Sequence, residues 1–286
     1  MNIYIVIPAH NEQGTIGLML ESLENQTLLP KKVVVVNDNS SDDTQRIIEG
    51  FASRHQWLVA MNHSSSQEHI PGSKVINAFY KGYDMLDEHY DIICKFDADI
   101  ILPKDYLENI IRLFESDDTI GIAGGHAYIE KDNIWIYETV ASKNHVRGPF
   151  KAYRKQCFKD IGGLKRSIGW DTLDTLLAQY HGWKVQTDKT LHVKHLKPTG
   201  QTYTSKSKYL QGEALFKMRY GFSLMFLTAL KSGFNKKSLS YVLNTISGYN
   251  KARKAKITPL VSTEEGKFIR KLRWKGVKES IGLKIH

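Results

Sequence analysis

The 286-residue chain contains only two cysteines, Cys94 and Cys157. Without paired spacings there is no disulfide framework, and a reducing compartment is the simpler reading. The N-terminus, "MNIYIVIPAHNE", lacks both a basic region and a small-residue cleavage site, so it reads as a strand and not as a secretory leader. Long apolar runs are also missing. The longest near the C-terminus, "FSLMFLTAL" (222–230), falls short of the about 20 residues that a bilayer-spanning helix takes. No Walker or dinucleotide Gly-rich fingerprint occurs, which argues against an ATPase or a dehydrogenase. Internal repeats and low-complexity linkers are absent as well.

An apolar fraction of 41% with 10% aromatics suits a globular protein with a core, and the length suits one large α/β domain or a domain with an appendage. The net charge of +10 is unevenly distributed: residues 1–200 carry 22 basic and 26 acidic side chains, and residues 201–286 carry 18 and 4. The basic tail, net +14, fits either a partner with an anionic surface or a solvated helical face.

Up to residue 100 the chain alternates strand-like and helix-like segments. "IYIVIP" (3–8), "KKVVVVND" (31–38), "WLVAMN" (57–62) and "DIICKF" (91–96) are short apolar or β-branched runs. Between them, 12–26, 40–55 and 73–86 carry apolar residues at helical spacing. This order predicts an α/β fold with a mostly parallel central sheet and helices on both faces. Further on, the pattern predicts a helix over 103–116, a strand over 120–129, a strand, short helix and Gly-Gly turn within 145–164, and a helix opening at Trp170 and ended by Gly182. The expected division is a catalytic domain over 1–204 and a basic, mostly helical extension over 205–286.

In a parallel α/β sheet, ligands bind outside the carboxyl ends of the strands. Three polar clusters fall at such ends: Pro8-Ala9-His10-Asn11-Glu12, Asp38 with the serines and aspartates after it, and Asp97-Ala98-Asp99. Ser41, Asp42 and Asp43 suit a helix start. Asp38 and the pair Asp97/Asp99 end strongly apolar runs, where a turn is a weaker account. Two carboxylates one residue apart can share a hard divalent cation together with substrate phosphates; without one, their charges repel.

The ordered set P-A-H-N-E, V-V-N-D, F-D-A-D, "GPFKAYRKQCFKDIGGL" and "WDTLDTLLAQYHGWKV" resembles family 2 glycosyltransferases with the GT-A fold, over roughly residues 1–200. The resemblance implies an inverting, metal-dependent transfer of a sugar from a nucleotide-diphosphate sugar, a UDP-sugar first, to an acceptor hydroxyl in polysaccharide or cell-surface glycan synthesis. On that basis Pro8, Ala9, His10, Asn11 and Glu12 line the nucleoside pocket, and Asp38 meets the base. Asp97 and Ala98 contact the donor, Asp97 and Asp99 hold Mn²⁺ or Mg²⁺, and Asp171 is the general base.

The family carries Glu before this aspartate where this chain has Trp170, so Asp174, one helical turn on, is the alternative base. His195 is either a third metal ligand or a structural histidine. Lys74 and Arg154 are expected at the donor, with a structural salt bridge as the competing account of Arg154. The implied partners are the nucleotide sugar, a saccharide or lipid-linked acceptor, and an anionic membrane surface on the cytoplasmic side. No nucleic acid is expected, because the tail has no reading motif. The competing classes are a sugar-phosphate nucleotidyltransferase, disfavoured because "PAHNEQGT" is not a Gly-rich basic loop, and a relative that binds without catalysis.

Overall fold

The computed structural model describes residues 1–65, 72–139, 145–197 and 208–280. The chain divides into two compact units, one of residues 1–69, 74–164 and 181–199 and one of 70–73, 165–180 and 200–286.

The first unit is built on a nine-stranded mixed sheet. Its parallel part comprises β1 (Ile3–Ala9), β2 (Lys32–Asp38), β3 (Leu58–His63) and β4 (Ile92–Phe96), in the spatial order β3-β2-β1-β4. α1 (Ile16–Glu24), α2 (Thr44–Ala52) and α3 (Ser73–Tyr83) make the crossovers. All seven residues of β1 are buried, as expected of a strand covered on both faces. Strand alternation sorts its side chains. Ile3, Ile5 and Ile7 join Val33, Val35 and the α1 residues Met19, Leu20 and Leu23 in one core. Val6, Val34 and Val36 face the other way, toward α3, where a Cβ at Gly82 would come within 2.7 Å of Val6. Only glycine lets that helix approach so closely.

Beyond β4 the sheet turns mixed. β8 (Phe150–Arg154) runs antiparallel to β4, and β6 (Ile120–Lys131) antiparallel to β8. β9 (Lys184–His195) is parallel to β6 with two register shifts. The two-residue β5 (Ile100–Ile101) pairs antiparallel with the end of β9, and β7 (Ile134–Tyr137) forms a hairpin on β6. α4 (Tyr106–Ser116) fills the core through Tyr106, Leu107, Ile110 and Phe114, and α5 (Lys155–Asp160) leads into a turn at Gly162 and Gly163, both at positive φ. The expected elements of this unit are present with ends moved by a few residues; β5 and β7 are additions.

The second unit is helical: α6 (Trp170–Tyr180), α7 (Leu210–Lys217), α8 (Phe222–Asn235), α9 (Leu239–Lys254) and α10 (Thr263–Ser280). Leu215, Met225, Ala229, Val242, Tyr249 and Ile269 are buried in it. No helix among the described residues is long and apolar enough to cross a membrane.

Candidate active site

Two loops at the carboxyl ends of β1 and β2 are laced together. His10 Nδ1 donates to the Asp38 carbonyl (2.6 Å), Asn11 N–H donates to Ser40 Oγ (2.9 Å), and Ser41 N–H donates to Asn11 Oδ1 (2.8 Å). Asn11 adopts the left-handed region at φ 54°, which asparagine tolerates better than most residues. Glu12 N–H donates to Thr44 Oγ1 (2.8 Å). Pro8 and Ala9 are buried within β1, while His10 and Asn11 are exposed. Asp38 is only 3% exposed and accepts Ser65 N–H on Oδ1 (3.2 Å). The sequence-expected nucleoside residues Pro8 to Glu12 and Asp38 therefore do come together at one sheet edge.

The second cluster lies after β4. Lys95, 2% exposed, forms an ion pair with Asp97. Residues 95 and 97 are two apart, so an extended chain turns both side chains to the same side. The expected repulsion between Asp97 and Asp99 is thus met at Asp97 by a fixed ammonium. Asp97 pairs with Lys95 through Oδ1, and its charge also acts on Asp99 and His195. Among the described residues, no group of three His, Cys, Asp or Glu side chains is arranged to hold a metal ion.

Asp99 has a different neighbourhood. The β5–β9 ladder sets Ile100 opposite His195, and Leu196 N–H donates to the Asp99 carbonyl (2.8 Å). His195, the last residue of β9, therefore lies 3.7 Å from Asp99 Oδ2 through Nε2. Its other ring nitrogen, Nδ1, faces Glu138 Oε2 at 3.3 Å, and Arg147 Nη1 donates to that same oxygen at 2.7 Å. Glu138 follows β7 directly and is fixed by its own N–H to the Ala127 carbonyl (2.9 Å). Glu138, His195 and Arg147 are all buried. Glu12 lies at the edge of this cluster and accepts Lys197 Nζ at 2.6 Å.

The electrostatics follow from burial and partner. Burial, then the neighbouring Asp97 charge, pushes the Asp99 carboxyl up to about 6, against the opposing pull of His195. Burial works against charge on His195, but the Glu138 hydrogen bond and the Asp99 and Glu138 charges outweigh it and raise its pKa. For Glu138, burial is likewise overcome by the His195 hydrogen bond and the Arg147 charge, and its pKa falls to about 2. Asp99 is thus a desolvated carboxylate whose burial and acidic neighbours outweigh the positive charge of His195 and Lys197. It stands beside a histidine whose second nitrogen is held by a carboxylate, the usual arrangement around a metal-ligating imidazole. The donor set fits a hard cation that takes one or two protein ligands and completes its shell with phosphate oxygens and water.

Arg154 is a correction. In the antiparallel β4–β8 ladder Phe150 lies opposite Phe96, at the site end, and Arg154 lies opposite Ile92, at the other end. Four residues of strand amount to about 13 Å. Its guanidinium donates to the carbonyls of Ile120 (2.9 Å), Phe114 (2.6 Å) and Asp117 (3.2 Å), so it clamps the α4–β6 connection and does not face the donor. Lys74 lies in the first turn of α3, half-buried. Asp171 lies in the first turn of α6 in the second unit, half-buried, and Asp174 is 2% exposed there. That burial suits a structural residue.

Sequence reasoning missed Glu138 and Arg147. The signal for Glu138 was local: Asp132 and Asn133, at φ 53° and 61°, form the tip of the β6–β7 hairpin. Two central residues at positive φ are what a tight hairpin of primed type needs, and Asp and Asn supply them.

The sheet, its flanking helices and the cluster at its edge define a GT-A glycosyltransferase fold. Residues 4–164 match the model of glycosyl transferase family 2, and the chain belongs to that family. It is 27% identical over 124 residues to YdaM of Bacillus subtilis, covering 42% of this chain and 28% of that one. It is 22% identical over 191 residues to poly-beta-1,6-N-acetyl-D-glucosamine synthase of Staphylococcus epidermidis, covering 59% and 42%. The chain thus spans less than half the length of these relatives.

Among solved structures, S. aureus TarS 1-349 in complex with UDP-GlcNAc superposes with a TM-score of 0.58 at 19% identity, covering 80% of this chain and 66% of that one. The mannosyltransferase PcManGT from Pyrobaculum calidifontis in complex with GDP-Man and Mn²⁺ gives 0.55 at 15% identity, covering 98% and 80%. At these identities the likeness is one of fold.

Proposed function

We propose that the chain is an inverting glycosyltransferase that moves a sugar from a nucleotide-diphosphate sugar to a hydroxyl of a saccharide or lipid-linked acceptor in polysaccharide or cell-surface glycan synthesis. The observation that carries this reading is the convergence of Asp99, His195, Glu138 and Arg147 beside the Asp38 and Pro8–Glu12 loops. Asp38 accepts the base N–H. A carboxylate suits the imide of uracil, and the UDP-GlcNAc complex of the TarS relative in fold agrees with a UDP-sugar. Asp99 and His195 would hold Mn²⁺ or Mg²⁺; when bound, the cation offsets the negative charge that grows on the departing nucleoside diphosphate.

Glu138 and Arg147 keep the imidazole oriented. Asp171 takes the proton of the acceptor hydroxyl while its oxygen bonds to the anomeric carbon on the face opposite the diphosphate, and the bond from that carbon to the phosphate oxygen breaks. Asp97, held by Lys95, contacts the ribose.

A panel of sugar nucleotides, assayed for hydrolysis and for transfer with Mn²⁺ present, tests the proposal and names the donor. Asp171→Asn is expected to abolish transfer and to leave donor binding intact; unchanged turnover rejects Asp171 as base. Product bearing the donor's own anomeric configuration rejects inversion.

A further inference from the structure

Of the fourteen large apolar side chains exposed among the described residues, seven lie between residues 222 and 243, on α8 and α9 of the second unit. On α8 these are Phe222, Phe226, Leu227, Leu230 and Phe234; four of them recur every fourth residue and form a stripe. The opposite side of α8, through Leu224, Met225, Ala229 and Gly233, is buried. On α9, Leu239 and Leu243 continue the apolar surface. Phe234 and Leu239, 85% and 74% exposed, stand at the tip where residues 236–238 join the helices. The hairpin is tight: Ser238 Oγ caps α9 by accepting Tyr241 N–H (3.2 Å), and a Cβ at Gly233 would come within 2.2 Å of Val242. An open apolar groove of about 540 Å³ runs between Leu230, Phe234, Leu239 and Val242.

Packing within the protein, the alternative account of these residues, holds for Leu215 and Met225, which are buried, and in part for Phe222, whose ring meets Tyr249 edge-on at 6.2 Å; Phe226, Leu230, Phe234 and Leu239 are exposed. Contiguous apolar patches of this kind on a protein surface mark an interaction site. Charge says which partner. From Ala214 to Thr263 the chain has no Asp or Glu and nine Lys and Arg residues. Lys231, Lys236 and Lys237 are exposed on the hairpin itself. An apolar stripe rimmed by lysines, on a hairpin that carries no acidic residue, matches the boundary between acyl chains and anionic headgroups. A second copy of the same face would bring like charges together.

We propose that the α8–α9 hairpin is a membrane-docking element: Phe226, Leu230, Phe234 and Leu239 enter the headgroup–acyl boundary of an anionic bilayer, and Lys231, Lys236 and Lys237 sit at its phosphates. The docking is reversible and requires no spanning helix. It goes beyond the sugar-transfer reading and stands independently of it, because its readout needs no donor.

The test is co-sedimentation of the full chain with phosphatidylcholine vesicles with and without phosphatidylglycerol, at low and high salt. Binding is expected only with the anionic lipid and weakens with salt. Phe234→Asp with Leu239→Asp weakens it about tenfold or more, since apolar contact is lost where about 1.4 kcal/mol is tenfold. Lys231→Gln with Lys236→Gln and Lys237→Gln weakens it and flattens the salt dependence. Phe234, Leu239, Lys231 and Lys237 are exposed, so their variants are expected to keep native circular dichroism; Lys236 also lies over the Tyr241 ring (4.3 Å), so Lys231→Gln with Lys237→Gln repeats the charge test without that contact, and Phe226→Ser is the milder check should the double aspartate variant not fold. Absence of binding to anionic vesicles at low salt overturns the proposal, as does binding that the Phe234 and Leu239 substitutions leave intact. Concentration-dependent self-association that buries the patch and abolishes vesicle binding assigns the face to a second copy and overturns it too.

Discussion

Asp99→Asn is expected to stabilise the metal-free protein. The folded carboxyl titrates at about 6 and an unfolded aspartate near 3.8, because the folded one is desolvated and sits beside Asp97. The direction follows from proton counting. Between those values the folded state holds more protons than the unfolded one, so stability falls as pH rises through the window and is level above it. A shift of about two units at about 1.4 kcal/mol each sets the cost of the ionised group at about 3 kcal/mol above pH 6. Asparagine keeps the shape and avoids the cost.

Urea denaturation in EDTA at pH 8 should therefore show the variant more stable than the parent, by up to about 3 kcal/mol. At pH 4 the gap should shrink to under about 1 kcal/mol, since the folded carboxyl is then almost fully protonated and the unfolded one, near its own pKa of 3.8, gains little by ionising. Saturating Mn²⁺ should raise the parent by about 2.7 kcal/mol at a hundred times its dissociation constant and raise the variant far less. A variant less stable than the parent at pH 8 in EDTA, or a gap that does not change with pH, refutes the reasoning.

Glu138→Gln leaves the side chain its size but removes the charge that holds His195 and Arg147; Mn²⁺ affinity by calorimetry should drop about 10- to 100-fold, with native circular dichroism. Its carboxylate, folded pKa about 2, contributes stability that is present above the ordinary carboxylate range and is lost as pH falls through it toward 2. In urea titrations between pH 5 and 3 the parent should thus lose more stability than the glutamine variant. Arg154→Ala removes three carbonyl contacts far from the donor; it should cost about 2–3 kcal/mol in denaturation and leave donor affinity unchanged, a combination that a donor-binding arginine would reverse.

The parallel half of the sheet was legible because its signals are local. β1 and the valines of β2 are continuous apolar runs buried on both faces, β4 is one interrupted only by Lys95, and the polar residues after them mark the carboxyl edge. The other half depends on pairings between distant segments. Nothing near Ile100 announces that it will lie opposite His195, nor does anything near Arg154 reveal the antiparallel register that carries it away from the site. Glu138 depends on both kinds of information. Its hairpin turn could have been read at Asp132-Asn133, but its contact with His195 arises only because β7 and β9 both pair with β6.

The two aspartates after β4 show what the register adds to a motif. In sequence, Asp97 and Asp99 are equivalent partners for a cation. In the fold, Lys95 is buried two residues before Asp97, where a lysine is tolerated only if its charge is met, and Asp97 meets it. Asp99 is beyond that ammonium's pairing and has a histidine that must share itself between Asp99 and Glu138. A fixed ammonium thus pairs Asp97 directly, and Asp99 has only the partial offset of His195 and Lys197. A divalent ion at Asp99 would relieve the raised carboxyl, and a second fixed cation there would compete with it. On this argument Lys95→Met should disturb the fold around Asp97 and not reproduce Asp99→Asn, because it leaves an uncompensated carboxylate where Asp99→Asn removes one. Metal-free stability measured for both variants should move in opposite directions, and movement in the same direction would show that the two carboxylates act as one pair after all.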